Sequence, residues 1–339
     1  MKTYDSMVDY EELHVLINLV PDEKMQVKYP LDDFPLFKVQ PGEGGYRLTM
    51  QYADGFHGRT PMLPRYEKER PSYDDLRSCM ISSGVLDFAN IDEVKRKIGR
   101  YMKLQRGVRF ALDTNMLYFN FVRNHDFLDP REILLVDTVK EEIKKMMNRK
   151  YSQEDVTVIK NSSPRGKELL DELRNGRVKR SRKAGLAYRE WEYLHDRDAM
   201  VIDGIRESSP QEGVCDRIIV ETLRGHRDKI KQDIVLLTSD DAMIDLCKIE
   251  EIEYIKCDIE HRVDSVDCTY RNLANLLYDL SKVFGFIKFG PSIIYGAYRG
   301  YTSNRPDVLK VVTENRELHK ELEKELETCR KLKEIGIVK

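Results

Sequence analysis

An α/β fold, with a parallel sheet covered by helices on both faces, is what the middle of this 339-residue chain predicts. Two observations carry that expectation. Short segments that are apolar along nearly their whole length recur at 109–112, 132–136, 233–237 and 253–256, and a strand apolar on both sides has to be covered on both sides. Stretches with helical spacing of apolar residues lie between them, the alternation that builds parallel sheets. An N-terminal α+β accessory domain and a long C-terminal helix complete the predicted architecture.

Residues 1–105 read as the accessory domain. Its strand-like pieces, 13–20, 25–29 and 46–52, are separated by Pro, Gly and Asp. A helix over 91–105 follows, with Val94, Ile98, Tyr101 and Met102 at helical spacing. This domain shows no chemistry of its own, and His57 to Thr60 with Arg65 reads as a solvated loop. Residues 106–305 read as the α/β domain, with a basic insertion around 144–212. It closes with a helix near 270–284 and a strand pair, 286–289 and 293–298, around Gly290-Pro291. Residues 306–339 are assigned to the C-terminal helix, predicted over 307–335 with Leu318, Leu322, Leu326, Cys329 and Leu332 forming one stripe. Only about two heptads are clean, so docking on the same protein is favoured over a homo-oligomer paired through this helix.

Composition sets bounds. Lys and Arg number 57 against 59 acidic residues, a net charge of −2, which excludes a uniformly basic coat but leaves room for a local patch. No apolar run approaches the ~18 residues of a membrane span. The opening MKTYDSMVDYEE is too acidic and polar for a signal peptide. The six cysteines show no C-x-x-C spacing and read as reduced thiols, so a cytoplasmic protein is expected.

In open α/β sheets, ligands bind beyond the carboxyl ends of the strands. The residues just after the predicted strands are carboxylates. Asp113, followed by Thr114 and Asn115, ends the first strand; Glu141 and Glu142 follow the second; Asp216 opens a helix; Asp240 and Asp241 follow the strand 233–237. Each alone is explained by helix capping. Four such groups at one edge repel, and a divalent cation is the usual compensation. An all-oxygen set suits Mg²⁺ or Mn²⁺, not zinc. A phosphate-cradling G-x-x-x-x-G-K-[ST] and a G-x-S-x-G elbow are both absent from the sequence, leaving ATP-driven and serine-hydrolase chemistry without support.

The order of motifs resembles the PIN domain nucleases. It is carried by Asp113-Thr-Asn115, Val139-Lys-Glu-Glu-Ile143, Gly213-Val-Cys-Asp-Arg-Ile-Ile219 and Leu237-Thr-Ser-Asp240 with the strand 253–255, over roughly 109–258. The resemblance implies a parallel sheet between helices and Mg²⁺- or Mn²⁺-dependent cleavage of phosphodiester bonds, usually in RNA. By position it implies an acidic set of Asp113, Glu142, Asp216 and Asp240, supported by Thr114, Asn115 and Asp241. The chain departs in its long segment between Glu142 and Asp216, and in Arg217, where a second acidic residue is common. Helix phase agrees that Glu142 faces the sheet. Glu141 points away, and Thr138-Val-Lys-Glu141 has the spacing of a capping box.

Between Lys144 and Lys183 stand 13 Lys and Arg against 5 Asp and Glu, peaking at Arg177, Lys179, Arg180, Arg182 and Lys183. These five are the expected nucleic-acid-binding residues. The aromatics between Tyr295 and Tyr301 read as packing residues before stacking ones. The sequence thus predicts a metal-dependent ribonuclease in RNA processing or degradation. Its rivals are a catalytically idle RNA-binding scaffold and a structure-specific DNA nuclease.

Overall fold

The computed structural model describes residues 2–51, 67–104, 107–163, 166–205, 214–300 and 307–337. The segment His57 to Thr60 with Arg65, and also Gln105, Gly213 and Tyr301, lie outside them. Thirteen strands among the described residues form two sheets. They are β1 (Tyr4–Asp9), β2 (Gln26–Tyr29), β3 (Phe34–Gly42), β4 (Gly45–Met50), β5 (Val108–Leu112), β6 (Ile133–Val136), β7 (Met200–Ile202), β8 (Asp233–Thr238), β9 (Glu253–Lys256), β10 (Ser265–Cys268), β11 (Phe286–Phe289), β12 (Ser292–Tyr295) and β13 (Val308–Thr313).

The two sheets differ as their burial patterns require. In β5, β6 and β8, consecutive residues are buried, which demands cover on both faces. These strands lie in a five-stranded sheet of order β7-β6-β5-β8-β9, parallel throughout and flanked by helices. β4 and β13 instead alternate buried and more exposed residues. They belong to an eight-stranded antiparallel sheet, β1-β13-β12-β11-β2-β3-β4-β10.

The chain divides into two compact units that do not follow sequence order. One holds Met1–Val85, Arg149–Arg182 and Arg262–Lys339; the other holds Leu86–Asn148 and Lys183–His261. This corrects the expected division at 105 and 305. The antiparallel sheet draws together strands from both ends of the chain, so β10 to β12 leave the expected α/β domain and join the first unit, together with β13 from the segment assigned to the C-terminal helix. Part of the basic insertion goes with them. The parallel unit keeps the other part, the helix Lys179–His195 from its second turn onward and the unforeseen edge strand β7.

Two local expectations also fail. Residues 13–19 form a helix, Leu13–Leu19, rather than a strand. Leu13, Leu16, Ile17 and Val20 are buried, and that spacing is helical; a short apolar run does not distinguish the two by itself. The C-terminal helix spans Arg316–Glu334, and the β-branched residues before it form β13. Docking is borne out. Leu318, Leu322 and Leu326 are buried where the helix meets β1, β13 and the helix Leu13–Leu19, and Arg330 makes two 2.8 Å hydrogen bonds to the Glu12 carboxylate. No helix among the described residues is long and apolar enough to cross a membrane.

Candidate active site

In the parallel sheet the chain builds outward from β5 through β6 to β7, then returns to the other side of β5 with β8 and β9. The strand order therefore reverses between β5 and β8, and beyond the carboxyl ends of two such strands lies the crevice where open sheets bind ligands. β5 and β8 are in register up to Leu112 opposite Leu237, and the Asp113 N–H donates to the Leu237 carbonyl at 3.3 Å. Asp113 and Asp240, the residues after the two strands, sit at this reversal.

Asp113 is buried and caps the helix Thr114–Tyr118. Its Oδ1 accepts the Met116 N–H at 2.8 Å, and its Oδ2 accepts the Thr238 hydroxyl. The Thr238 oxygen in turn accepts the Asp240 N–H at 3.0 Å, and Asp240 caps the helix Asp241–Ile249 through the Ala242 N–H at 2.8 Å. One fully buried hydroxyl thus ties the two strand ends together. Thr238 stood inside the quoted motif, but its role depends on the β5–β8 register, which sequence does not reveal.

Electrostatics join a third carboxylate to the pair. Burial pushes the Asp113 carboxyl up to about 7, with the charges of Asp240 and Asp216 adding to the rise against the hydrogen bonds from Thr238 and Met116. Asp216, half-buried in the first turn of the helix Val214–Ile230, is raised by burial and then by Asp240. The surroundings are apolar. The buried Cys247 thiol is pushed up to about 12 by its burial and by the Asp113 charge, and Cys257 rises for the same two reasons.

The structure thus brings three of the four predicted carboxylates into mutual influence. Glu142 is half-buried on the helix Asp137–Met147, which packs against the helix carrying Asp216, while Glu141 is exposed. The expected capping box does not form. Helix Asp137–Met147 starts two residues earlier than that box requires, with Val136 as its cap, so Thr138 lies inside the first turn and cannot cap it. Thr114 and Asn115 occupy the first turn after Asp113, half-buried. Asp241 is turned outward to the Lys256 ammonium at 2.7 Å, with an exposed side chain.

The basic run is only partly available to a ligand. Lys179 spends its ammonium on Asp75 at 2.7 Å and on the Arg70 carbonyl at 2.6 Å. Arg182 is buried and donates to the carbonyls of Arg177, Lys282 and Val283 at 2.6 to 3.3 Å. These two are corrected to structural residues, because a buried guanidinium must be fully hydrogen-bonded. Arg180 is exposed, and Arg177 and Lys183 are half-buried. Tyr295 and Tyr298 are buried, as packing residues should be.

As donors, the carboxylates fit a hard cation. They supply oxygen only, and an oxygen that accepts one hydrogen bond keeps a second lone pair. Among the described residues, no three His, Cys, Asp or Glu stand close enough together to ligate one ion as they are arranged. No family model matches the chain, and no curated protein matches it.

Proposed function

We propose that this protein is a metal-dependent ribonuclease of the PIN type, working through Mg²⁺ or Mn²⁺. The observation that carries the reading is the trio Asp113, Asp216 and Asp240 at the β5–β8 reversal, with Asp113 pushed up to about 7 by burial and its two neighbours. Gathering negative charge in an apolar setting costs stability, and such arrangements mark functional sites. Asp113, Asp216 and Asp240, with Glu142 from the adjoining helix, would hold the cation. Bound there, it would supply charge for a phosphoryl oxygen and a lowered pKa for water. Thr238 and the Met116 N–H hold the Asp113 carboxylate in one orientation, and the Ala242 N–H does so for Asp240. Without a cation, the carboxylates would repel the phosphate.

Thermal melting with added Mn²⁺ tests this. At 100 times Kd, a cation that binds only the folded state stabilises it by about 2.7 kcal/mol, and the shift should vanish in Asp216→Asn along with cleavage of total cellular RNA. No shift, or a shift retained in Asp216→Asn, sinks the assignment. DNA of matching sequence serves to separate a DNA nuclease. The glutamate pair offers a second check. Glu142→Gln should lose the Mn²⁺ shift and cleavage together, whereas Glu141→Gln, at an exposed position, should stay within about 0.5 kcal/mol of wild type and keep cleaving. The opposite pattern would mean that the wrong glutamate faces the site.

A further inference from the structure

The eight-stranded sheet ends in two edges, β1 and β10, and the chain treats them differently. In an antiparallel pair, residues bonded across the ladder alternate with residues whose N–H and C=O point away from it. Beside β1 the Tyr10 N–H donates to the Asp307 carbonyl, so the register turns Ser6 and Val8 toward β13. Asp5, Met7 and Asp9 then face outward, and their groups are guarded. The Asp9 N–H donates to the Glu12 carboxylate at 3.0 Å, and the Met7 carbonyl accepts from Arg330 at 2.8 Å. The exposed side chains of Asp5 and Asp9 add charge to this edge, a usual protection against stray pairing.

The β10 edge has no such cover among the described residues. The Met50 N–H donates to the Asp264 carbonyl at 2.9 Å, so the register turns Val266 and Cys268 toward β4. Ser265 and Asp267 are exposed and face outward, each with one backbone donor and one acceptor. A groove of about 1130 Å³ begins at Asp267 and Cys268 and continues along the turn of the β3–β4 hairpin. Its charged lining is Asp22, Glu23, Glu43, Asp267 and Arg47, and Arg47 is already bound to Asp267 through two 2.8 Å hydrogen bonds. The groove is therefore acidic.

We propose that β10 receives an extended basic segment of a partner protein as a ninth strand. The outward groups of Ser265 and Asp267 supply its backbone bonds, the usual source of affinity in strand addition. Side chains alternate across a strand, so an apolar residue of the segment falls beside the half-buried Val266. Where the segment runs on past Cys268, its lysines or arginines meet Glu43, Asp22 and Glu23. Such complementarity selects the partner. A second copy of this chain would bring the same acidic groove against itself. The edge belongs to the unit that lacks Asp113, Asp216 and Asp240, so the proposal stands apart from the ribonuclease reading.

The test is anisotropy of a labelled, end-blocked Lys-Val-Lys-Val-Lys peptide with the full-length protein at low salt. A Glu-Val-Glu-Val-Glu peptide serves as comparison and should not bind. Asp267→Pro removes one outward N–H and no bond to β4, and Val266 before it is already extended, as proline requires. Asp267→Asn keeps that N–H. The Pro variant should bind the lysine peptide about five-fold more weakly than the Asn variant. Glu43→Lys, exposed on the hairpin turn, should weaken binding about three-fold or more and keeps the test decisive if the Pro variant does not fold. A wild type that ignores the lysine peptide or takes the glutamate peptide equally well overturns the proposal. So do equal affinities of the Pro and Asn variants, or an unchanged affinity in Glu43→Lys. A dimer in sedimentation that Asp267→Pro splits would give the edge to a second copy instead.

Discussion

At pH 8 without added metal, Asp113→Asn is expected to unfold at a higher temperature than the wild type while cutting no RNA. In the folded protein the Asp113 carboxyl keeps its proton up to about 7, whereas its ordinary value is 3.8. A carboxyl raised on folding favours the folded state below its unfolded value, and that contribution is lost as pH climbs through the folded one. Above pH 7 the protein therefore carries the cost of a buried charge, on the order of 4 kcal/mol at ~1.4 kcal/mol per pH unit. Asn removes the charge and keeps an acceptor for the Met116 N–H, but it leaves the Thr238 hydroxyl proton without its acceptor. A net gain of about 2–3 kcal/mol remains after that loss. Urea titrations of both proteins should show the gap opening between pH 4 and pH 8. Mn²⁺ should then reverse the order by stabilising only the wild type. A wild type more stable than Asp113→Asn at pH 8 without metal would make this carboxylate a structural cap.

Arg182→Met is expected to cost about 3–5 kcal/mol, although the residue lies in the most basic stretch of the chain. Its guanidinium satisfies the carbonyls of Lys282 and Val283 in the last turn of the helix Tyr270–Phe284, where the chain leaves through Gly285 at φ +90°. A cation there caps orphan carbonyls and complements the helix dipole. Met fills the space but leaves buried acceptors unpaired, each at about 1–3 kcal/mol. Arg180→Met, two residues away and exposed, should stay within about 0.5 kcal/mol. Urea unfolding of the two variants checks the contrast. Undiminished stability in Arg182→Met, together with weaker RNA binding, would return Arg182 to the nucleic-acid face.

The parallel strands were legible because burial on both faces leaves a continuous apolar run, and Asp113, Asp216 and Asp240 because they sit at strand ends and helix starts. What escaped depends on contacts far apart in sequence. Thr238 acquires its role only once β8 lies in register beside β5. Lys179 and Arg182 look like their solvated neighbours until Asp75 and the carbonyls of residues 282 and 283 are placed beside them. The run 13–19 carries enough apolar residues to pass for a strand, and only the buried subset reveals the helix. β13 was absorbed into the predicted C-terminal helix because its partners, β1 and β12, are not local to both sides of it.

The pairing of β1 with β13 orders events during synthesis. Asp9 and its partner Val308 are about 300 residues apart, which a ribosome covers in roughly 15–60 s. Over that interval β1 waits without its neighbour, while every strand of the parallel sheet is complete by Lys256. The carboxylate-bearing unit can therefore assemble first, inside a chain whose opening strand is still unpaired. A message truncated between those points would yield an assembled parallel-sheet half attached to an open sheet edge, the kind of surface that nascent chains hand to chaperones.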